Sequence, residues 1–517
     1  MDYGITSNQD QDHQLPTHSD YGNYIEHWKF LKRSYIGGAE YKRGNYLTRY
    51  QYETENEYIQ RLTQAAVDNH CRSVIHIHNS FLFRNPPKRD YGNLDNTPEL
   101  ENFLKDTDLE GRSWSSFMSE VNIQSSIYGH CVVLIDRPET AVGTRADELA
   151  QGIRPYGTIF TPENIVDWKF VRMPNGHYEL EYLKLLEMDA RPGKPNSEYY
   201  VRTWSRDAIR LESYSQTEKP ILLEEKVNTL GKVPAIWVYN QRGAVKGIGS
   251  GDIDDIAIAQ RFLHECYSEA EQLIRITNHP SLVKSMATPT PTAGAGAIIN
   301  MPDELDPNMK PYLLQPSGGN LEAILKTMAE TVKSIDRMSF LGSIRAVETR
   351  QMSGVAMMSE FLMLDAKLSE KARNLELAEE QIFRLFSEWQ GQAWDGEIKY
   401  PTAFHIRDKN LDMDIIKKAA EAQRDSANAS PTVKAILDQK IMELLAKDEQ
   451  ELEELTNQLA DDGQHNPMNN PTDVVTHMRE MIKQGLSNEE IMNLHPEIAQ
   501  FFGGTDGGVP GQEDNTQ

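Results

Sequence analysis

The rhythm of apolar and polar positions along the chain changes near residue 247. Before it, short helical and strand-like stretches alternate. From Asn56 to about Val67, Tyr58, Leu62 and Ala65–Ala66 fall on one side of a helix. Val74-Ile75-His76-Ile77-His78 alternates as a short strand does, and Arg84-Asn85-Pro86-Pro87 stops regular structure, because proline lacks a backbone donor and restricts its predecessor. Trp114, Phe117, Met118, Val121 and Ile127 predict a helix over Ser113–Tyr128, with Gly129 as its C-terminal stop. Cys131–Asp136 reads as a buried strand ended by Arg137-Pro138. Further strand signals at Tyr156–Phe160, Tyr178–Leu185, Tyr199–Trp204 and Ala235–Tyr239 are separated by Pro, Gly and Asn turns. This half is expected to be α+β. Residues 1–20 are polar and read as a loose arm.

After Gly247-Ile248-Gly249-Ser250-Gly251 the pattern becomes helical. A long helix is predicted from Asp252, a good N-cap residue, to just before His279-Pro280. Its apolar positions are Ile253, Ile256, Ala257, Phe262, Leu263, Cys266, Tyr267, Ala270, Leu273 and Ile274. Residues 281–320 are short-stranded and rich in Pro and Gly. A second helix is predicted over Leu321–Phe340, with Leu321, Ile324, Leu325, Met328, Val332 and Ile335 on one apolar face. Gly342–Ser353 breaks the periodicity. A third helix follows from Gly354 to Gln390, its buried side marked by Val355, Met358, Phe361, Leu362, Leu368, Leu375, Ile382, Leu385, Phe386 and Trp389. The last hundred residues also read as helical. Ile441, Leu445, Leu452, Leu455 and Leu459 suggest a packing seam, Pro471-Thr472-Asp473 opens a helix that Gly485 closes, and Ser487–Glu490 has the capping-box form. The Gly- and Asp-rich tail from Gly503 reads as disordered.

With 517 residues the chain is long enough for several domains. No stretch approaches the ~18 uncharged apolar residues of a membrane span, and the polar, acidic N-terminus lacks signal-peptide character. Cys71, Cys131 and Cys266 are odd in number and scattered, which fits a reducing compartment and gives no disulfide or metal framework. The formal net charge is −25. Proteins that grip DNA usually present a basic surface, so tight DNA binding by the overall surface is not expected. Enclosing DNA without gripping it is compatible with an acidic wall, whose field decays over ~8 Å in physiological salt.

Few residues suggest chemistry. No GxxxxGK[ST] loop occurs, and the Gly247–Gly251 stretch reads as a flexible lead-in to the helix rather than a phosphate cradle. His70, Cys71, His76 and His78 are the densest set of soft ligands. No second cluster completes a zinc site, and strand-surface histidines account for them. Asp303, Glu304 and Asp306 form an acidic loop that is either solvated or a docking surface. Lys326, Glu330, Lys333 and Arg337 share one polar helical face, which is either an ordinary solvent face with ion pairs or a face turned toward a DNA-filled channel. No catalytic residue, metal or cofactor is expected.

The order of these segments resembles the portal proteins of tailed double-stranded DNA bacteriophages over roughly residues 50–410. Glu57-Tyr58-Ile59-Gln60-Arg61 with Phe83-Arg84-Asn85-Pro86 is similar to the N-terminal region of that family. Arg154-Pro155-Tyr156 leading to Thr161–Trp168 is similar to its wing strand and loop. Gly231-Lys232-Val233-Pro234 precedes the strand leading to the first long helix, and Thr349–Ala356 is similar to its loop-to-helix junction.

The resemblance implies a mainly helical α+β fold of portal architecture. An arm at 1–20 would precede a wing at 21–250. Stem helices at 251–278 and 320–340 would flank a clip at 279–319, and a tunnel loop at 341–353 would follow. The long helix and a strand at 354–410 would complete the wing, with a helical crown at 411–501 and a tail at 502–517. It further implies a homo-oligomeric ring of about twelve copies, with a formal charge on the order of −300. Such a ring sits at the portal vertex of the virion, is made in the host cytoplasm, and passes double-stranded DNA without sequence specificity. The implied partners are the terminase large subunit, the major capsid protein and scaffold, and a head-tail adaptor or neck protein, with no membrane. In that frame the tunnel loop contributes Arg345, Thr349, Arg350, Gln351, Met352 and Ser353, the stem lining Lys326, Lys333 and Arg337, and the clip docking surface Asp303, Glu304 and Asp306. The competing readings are another virion structural protein, such as a capsid or tail subunit, and a hydrolase or transferase, for which no convergent nucleophile and base is found.

Overall fold

The computed structural model describes residues 15, 17–138, 152–187, 198–215, 220–278, 281–283, 312–314, 319–342, 354–402 and 404. The chain divides into two units, Met1–His405 and Ile406–Gln517, and every described residue lies in the first. The expected crown and tail, and most of the expected N-terminal arm, therefore lie outside the described residues.

Helices α1 (Tyr21–Ile36), α2 (Gly38–Lys42) and α3 (Glu55–Gln64) open the fold. The start of α3 is fixed by a capping box: the Thr54 hydroxyl accepts from the Glu57 amide at 3.4 Å, and the Glu57 carboxylate accepts from the Thr54 amide at 2.9 Å. Next comes α4 (His70–Leu82), which corrects the strand expected at Val74–His78. Asn69 caps it by accepting from the Arg72 amide at 2.9 Å. His70, Cys71, Val74, Ile75, His78 and Leu82 are its buried residues. That three-and-four spacing over 13 residues outweighs the short alternation at its centre. After Pro86-Pro87, β1 (Lys88–Asp90), α5 (Pro98–Lys105) and α6 (Trp114–Tyr128) follow. As expected, Gly129 ends α6, at φ +86°, and donates its N–H to Ser125 O at 2.8 Å.

The strands β2 (His130–Asp136) and β3 (Tyr156–Phe160) lead into the meander β4 (Ile165–Arg172), β5 (Tyr178–Glu187), β6 (Glu198–Ser205), β7 (Ala208–Ser215) and β8 (Ile221–Val227), and then into β9 (Ala235–Tyr239). Two antiparallel sheets result, one of order β3-β2-β9 and one of order β4-β5-β6-β7-β8. β2, buried from His130 to Ile135, is the central strand of the smaller sheet. A cleft of ≈ 1110 Å³ is bounded by residues of both sheets, including Asp136, Tyr156, Arg202 and Trp204.

The glycine-rich stretch before the first long helix is tightly packed, which corrects the flexible lead-in expected there. β10 (Gln241–Arg242) pairs with β11 (Gly249–Ser250), and Gly249 lies against Gly129 so closely that a Cβ on it would stand 2.1 Å from Gly129 O. Only glycine at both positions permits that approach of two backbones.

The long helices are α7 (Asp254–Asn278), α8 (Gly319–Met338) and α9 (Gly354–Trp389). Between α7 and α8 lie β12 (Ser281–Val283) and β13 (Tyr312–Leu314), which pair antiparallel, so the C-terminal end of α7 and the N-terminal end of α8 are brought together. Finally β14 (Glu397–Lys399) pairs with β1, tying the segment after α9 to the N-terminal part of the fold. Fold class is thus mixed α and β, as expected. The core is continuous through α1, α4, α6, β2 and α9. At one end of it Phe103, Trp114, Phe117, Phe383 and Phe386 form an aromatic cluster, with the Phe103 and Phe386 rings 4.6 Å apart.

Candidate functional site

The antiparallel pair α7 and α8 carries the predicted stem residues. Met328 and Ile335 of α8 are buried and Ile324 and Val332 half-buried, as the periodicity predicted, but Leu325 is 52% exposed. Ile253, just before α7, and Ile256, Ala257, Leu263, Cys266 and Ala270 on it are buried, whereas Phe262 is 45% and Ile258 60% exposed. Along α9, Leu368, Leu375, Ile382, Leu385 and Phe386 are buried, but Leu362 is exposed. Ile258 and Phe262 share an open groove with Lys326, Glu330 and Met338 of the neighbouring helix. Lys326, Lys333 and Arg337 are all exposed on α8. The Glu330 carboxylate accepts from the Lys333 ammonium at 2.7 Å, a bond that holds it below its ordinary range.

The pair is fastened to the rest of the fold at its other end. Asp252 was expected to cap α7. Neither aspartate caps it in that way: the Asp254 carboxylate, on the first residue of α7, reaches back to the turn before the helix, accepting from the Gly251 amide at 3.0 Å and the Ser250 hydroxyl at 2.8 Å. Asp252 itself is buried. Its Oδ2 accepts from Lys371 Nζ on α9, and its Oδ1 faces Lys367 Nζ at 3.2 Å and accepts from Asn240 Nδ2 at 2.9 Å. Lys371 Nζ also donates to Ser126 Oγ at 2.6 Å and Asn240 Oδ1 at 2.7 Å, so all three of its protons are used. Burial by itself would raise the Asp252 carboxyl, but the fields of Lys371, Lys367 and His78 together hold it well below the ordinary carboxylate range. Residues of α6, the β9–β10 turn, the start of α7 and α9 meet here in one fully hydrogen-bonded knot.

The end of α8 is fastened to the same region. His78 of α4 bonds Ser339 O through Nε2 at 2.9 Å, and burial lowers its imidazole pKa. Beyond it Phe340 turns the chain at φ +57° and Leu341 is fully buried. The start of α7 and the end of α8 are therefore both pinned, and the pinned end of α8 runs into the segment predicted as the tunnel loop. His76 instead bonds the Tyr35 hydroxyl at 3.2 Å, so the histidines of α4 point to separate partners.

A second buried charge lies eight residues further along α9. Glu379 accepts from Arg89, from Trp114 Nε1 at 2.7 Å and from the Tyr400 hydroxyl at 2.7 Å, linking β1, α6 and the segment after β14. Neither Asp252–Lys371 nor Glu379 was anticipated. A signal exists for two of the three, since Lys371 and Glu379 fall in register with Leu368, Leu375, Ile382 and Phe386 on the apolar face of α9.

Arg345, Thr349, Arg350, Gln351, Met352 and Ser353 lie outside the described residues, as do Asp303, Glu304 and Asp306. Among the described residues no three His, Cys, Asp or Glu side chains gather as metal ligands would, and no helix is long and apolar enough to cross a membrane.

No family model matches the chain, and no curated protein matches it. The solved structures that resemble the chain include two from gene transfer agent particles. A chain in the virion of a native gene transfer agent particle is 11% identical at a TM-score of 0.40, with 79% of this chain and 98% of that chain covered. A chain in the neck of an empty gene transfer agent particle is 10% identical at a TM-score of 0.40, with 78% and 98% covered. Both likenesses are too distant to bear on what this chain does.

Proposed function

We propose that the chain is one subunit of a portal ring, the conduit at a unique capsid vertex through which double-stranded DNA is packaged, retained and ejected. The observation that carries this reading is the α7–α8 pair. The two helices run antiparallel and are joined by a short ladder at one end. At the other they are locked to the wing by Asp252, Lys371 and His78. Between these ends they expose Ile258, Phe262, Leu325 and Met338. Burying a large apolar side chain from full exposure gains about 1.5–3 kcal/mol, so these half-exposed ones each gain about half of that when covered. A neighbouring copy of the same rod is the natural cover, and a head-to-tail contact that closes gives a ring around a bore. The exposed Lys326, Lys333 and Arg337 then supply sparse phosphate contacts on an otherwise acidic assembly, weak enough to let DNA slide.

In this reading the subunit performs no chemistry. The terminase large subunit drives the DNA and docks at the clip, which would use Asp303, Glu304 and Asp306, and a neck or adaptor protein replaces it. The loop carrying Arg345, Thr349, Arg350, Gln351, Met352 and Ser353 would hold the DNA at the constriction. Negative-stain images of purified protein test the ring: closed rings of about twelve copies with a central hole are expected, and strictly monomeric protein refutes it. Arg350→Glu tests the loop. Particles carrying it should package or retain less DNA, and unchanged packaging removes the assigned role.

A further inference from the structure

The two edges of the five-stranded sheet are treated differently. Along β4, His18 of the N-terminal segment donates its amide to Val166 O at 2.8 Å, and its ring stacks on Trp168 at 4.1 Å. On the opposite edge, β8 pairs only with β7 among the described residues. Its Ile221, Leu222, Leu223 and Val227 are 52%, 50%, 42% and 74% exposed. A seven-residue strand without proline that shows this much apolar surface is a template for another strand. The charges of β8 lie in its second half and are paired within the sheet, so the apolar run Ile221–Leu223 is the open part of the edge. Glu225 is paired with Arg210 at 2.8 Å, and Glu224 with Lys226 at 2.8 Å.

The sequence holds a matching pattern at the start of the arm. Met1-Asp2-Tyr3-Gly4-Ile5-Thr6 alternates apolar with polar or small residues, the period of a strand with one covered face. It leads to His18, which already lies on the β4 edge. The edges are four strand spacings apart, or about 19 Å. Residues 7–17 span up to about 36 Å when extended, more than the width of the sheet, so their length does not confine residues 1–6 to the β4 edge. We propose that residues 1–6 of one copy add as a strand to the β8 edge of the next copy in the ring. Such a contact is heterologous, since the donor leaves one edge and the acceptor offers the other, and it repeats around a closed ring. Ile221 and Leu223, which share one face of β8, would be covered by the Tyr3 and Ile5 side chains, which share one face of the added strand. This inference rests on the ring reading, but its failure can be told apart from that reading's failure.

The test uses the full chain with Tyr3→Cys, Gly4→Cys or Ile5→Cys in turn, each combined with Leu223→Cys. The native cysteines Cys71, Cys131 and Cys266 are buried. Mild oxidation followed by a non-reducing gel should convert at least one of the three variants into a ladder of dimers and larger species, while either single variant stays monomeric on the gel. Rings in micrographs with no ladder overturn the strand exchange and leave the ring reading intact. A disulfide formed within one chain overturns it as well, placing residues 1–6 on their own β8. Protein that forms neither rings nor ladders refutes both.

Discussion

Replacing Lys371 by Met tests the joint that pins the paired helices to the wing. Side-chain exposure is 2% for Lys371 and 3% for Asp252, so the ion pair between them is essentially dry. Met keeps the volume of the Lys stem and removes the charge with its three hydrogen bonds, to Asp252, Ser126 and Asn240. Asp252 is left with Lys367 at 3.2 Å and the Asn240 amide at 2.9 Å. Removing one partner of a buried pair costs about 3–5 kcal/mol, and the remaining lysine sets the expectation near the lower end, ~3 kcal/mol. In urea, with a slope of ~3 kcal/mol/M, the unfolding midpoint should fall by about 1 M. A double-mutant cycle with Asp252→Asn should give a coupling of ~1.5 kcal/mol or more, while Asp252→Leu with Lys371→Met should recover part of the loss, because the fully dry charges are gone and only Lys367, 15% exposed, has lost its partner. The pH dependence follows from the depressed Asp252 carboxyl. Such a group stabilises fully above its unfolded value of ~3.9 and loses that contribution as pH falls toward its lower folded value. The stability gap between wild type and Asp252→Asn should therefore stay constant from about pH 7 to 5 and close below ~4. A cost under ~1 kcal/mol for Lys371→Met, or additivity within ~0.5 kcal/mol in the cycle, would refute the reasoning.

Further outcomes are expected elsewhere. His130 is buried against Trp28 and Trp237, and burial pushes its imidazole down to about 3. The unfolded chain takes up that proton first, so stability should be complete above ~6.5 and fall by ~1.4 kcal/mol per pH unit below it; urea melts of His130→Phe between pH 7 and 4 should lack that share of the slope. Glu379→Gln keeps the shape but leaves Arg89 without its carboxylate, and should cost ~3 kcal/mol by chemical denaturation. Gly249→Ala drives a methyl into Gly129 O and should cost at least ~1–3 kcal/mol, whereas Gly111→Ala, where a Cβ meets nothing, should cost less despite the φ of +90° there.

Much of the fold was legible because local periodicity follows from backbone geometry. The long helices ending at Asn278, Met338 and Trp389 lie within a few residues of their predicted limits, and Gly129 stops α6 as a left-handed glycine should. The signal failed where the window was short. Five alternating residues in α4 imitated a strand until Asn69 and the wider spacing of its buried positions decided for a helix. The strands β7 and β8 passed unrecognised, since a sheet edge such as Ile221–Val227 is defined by what does or does not pair beside it. The buried charges were hidden for a related reason. Asp252 looks like a cap in its own neighbourhood, and Lys371, 119 residues away, looks like one more surface lysine. What the sequence by itself determined was which segments coil and which extend. Only the tertiary structure decided which charges are dry and which edges lack a partner among the described residues, because desolvation and strand pairing depend on neighbours that are remote along the chain.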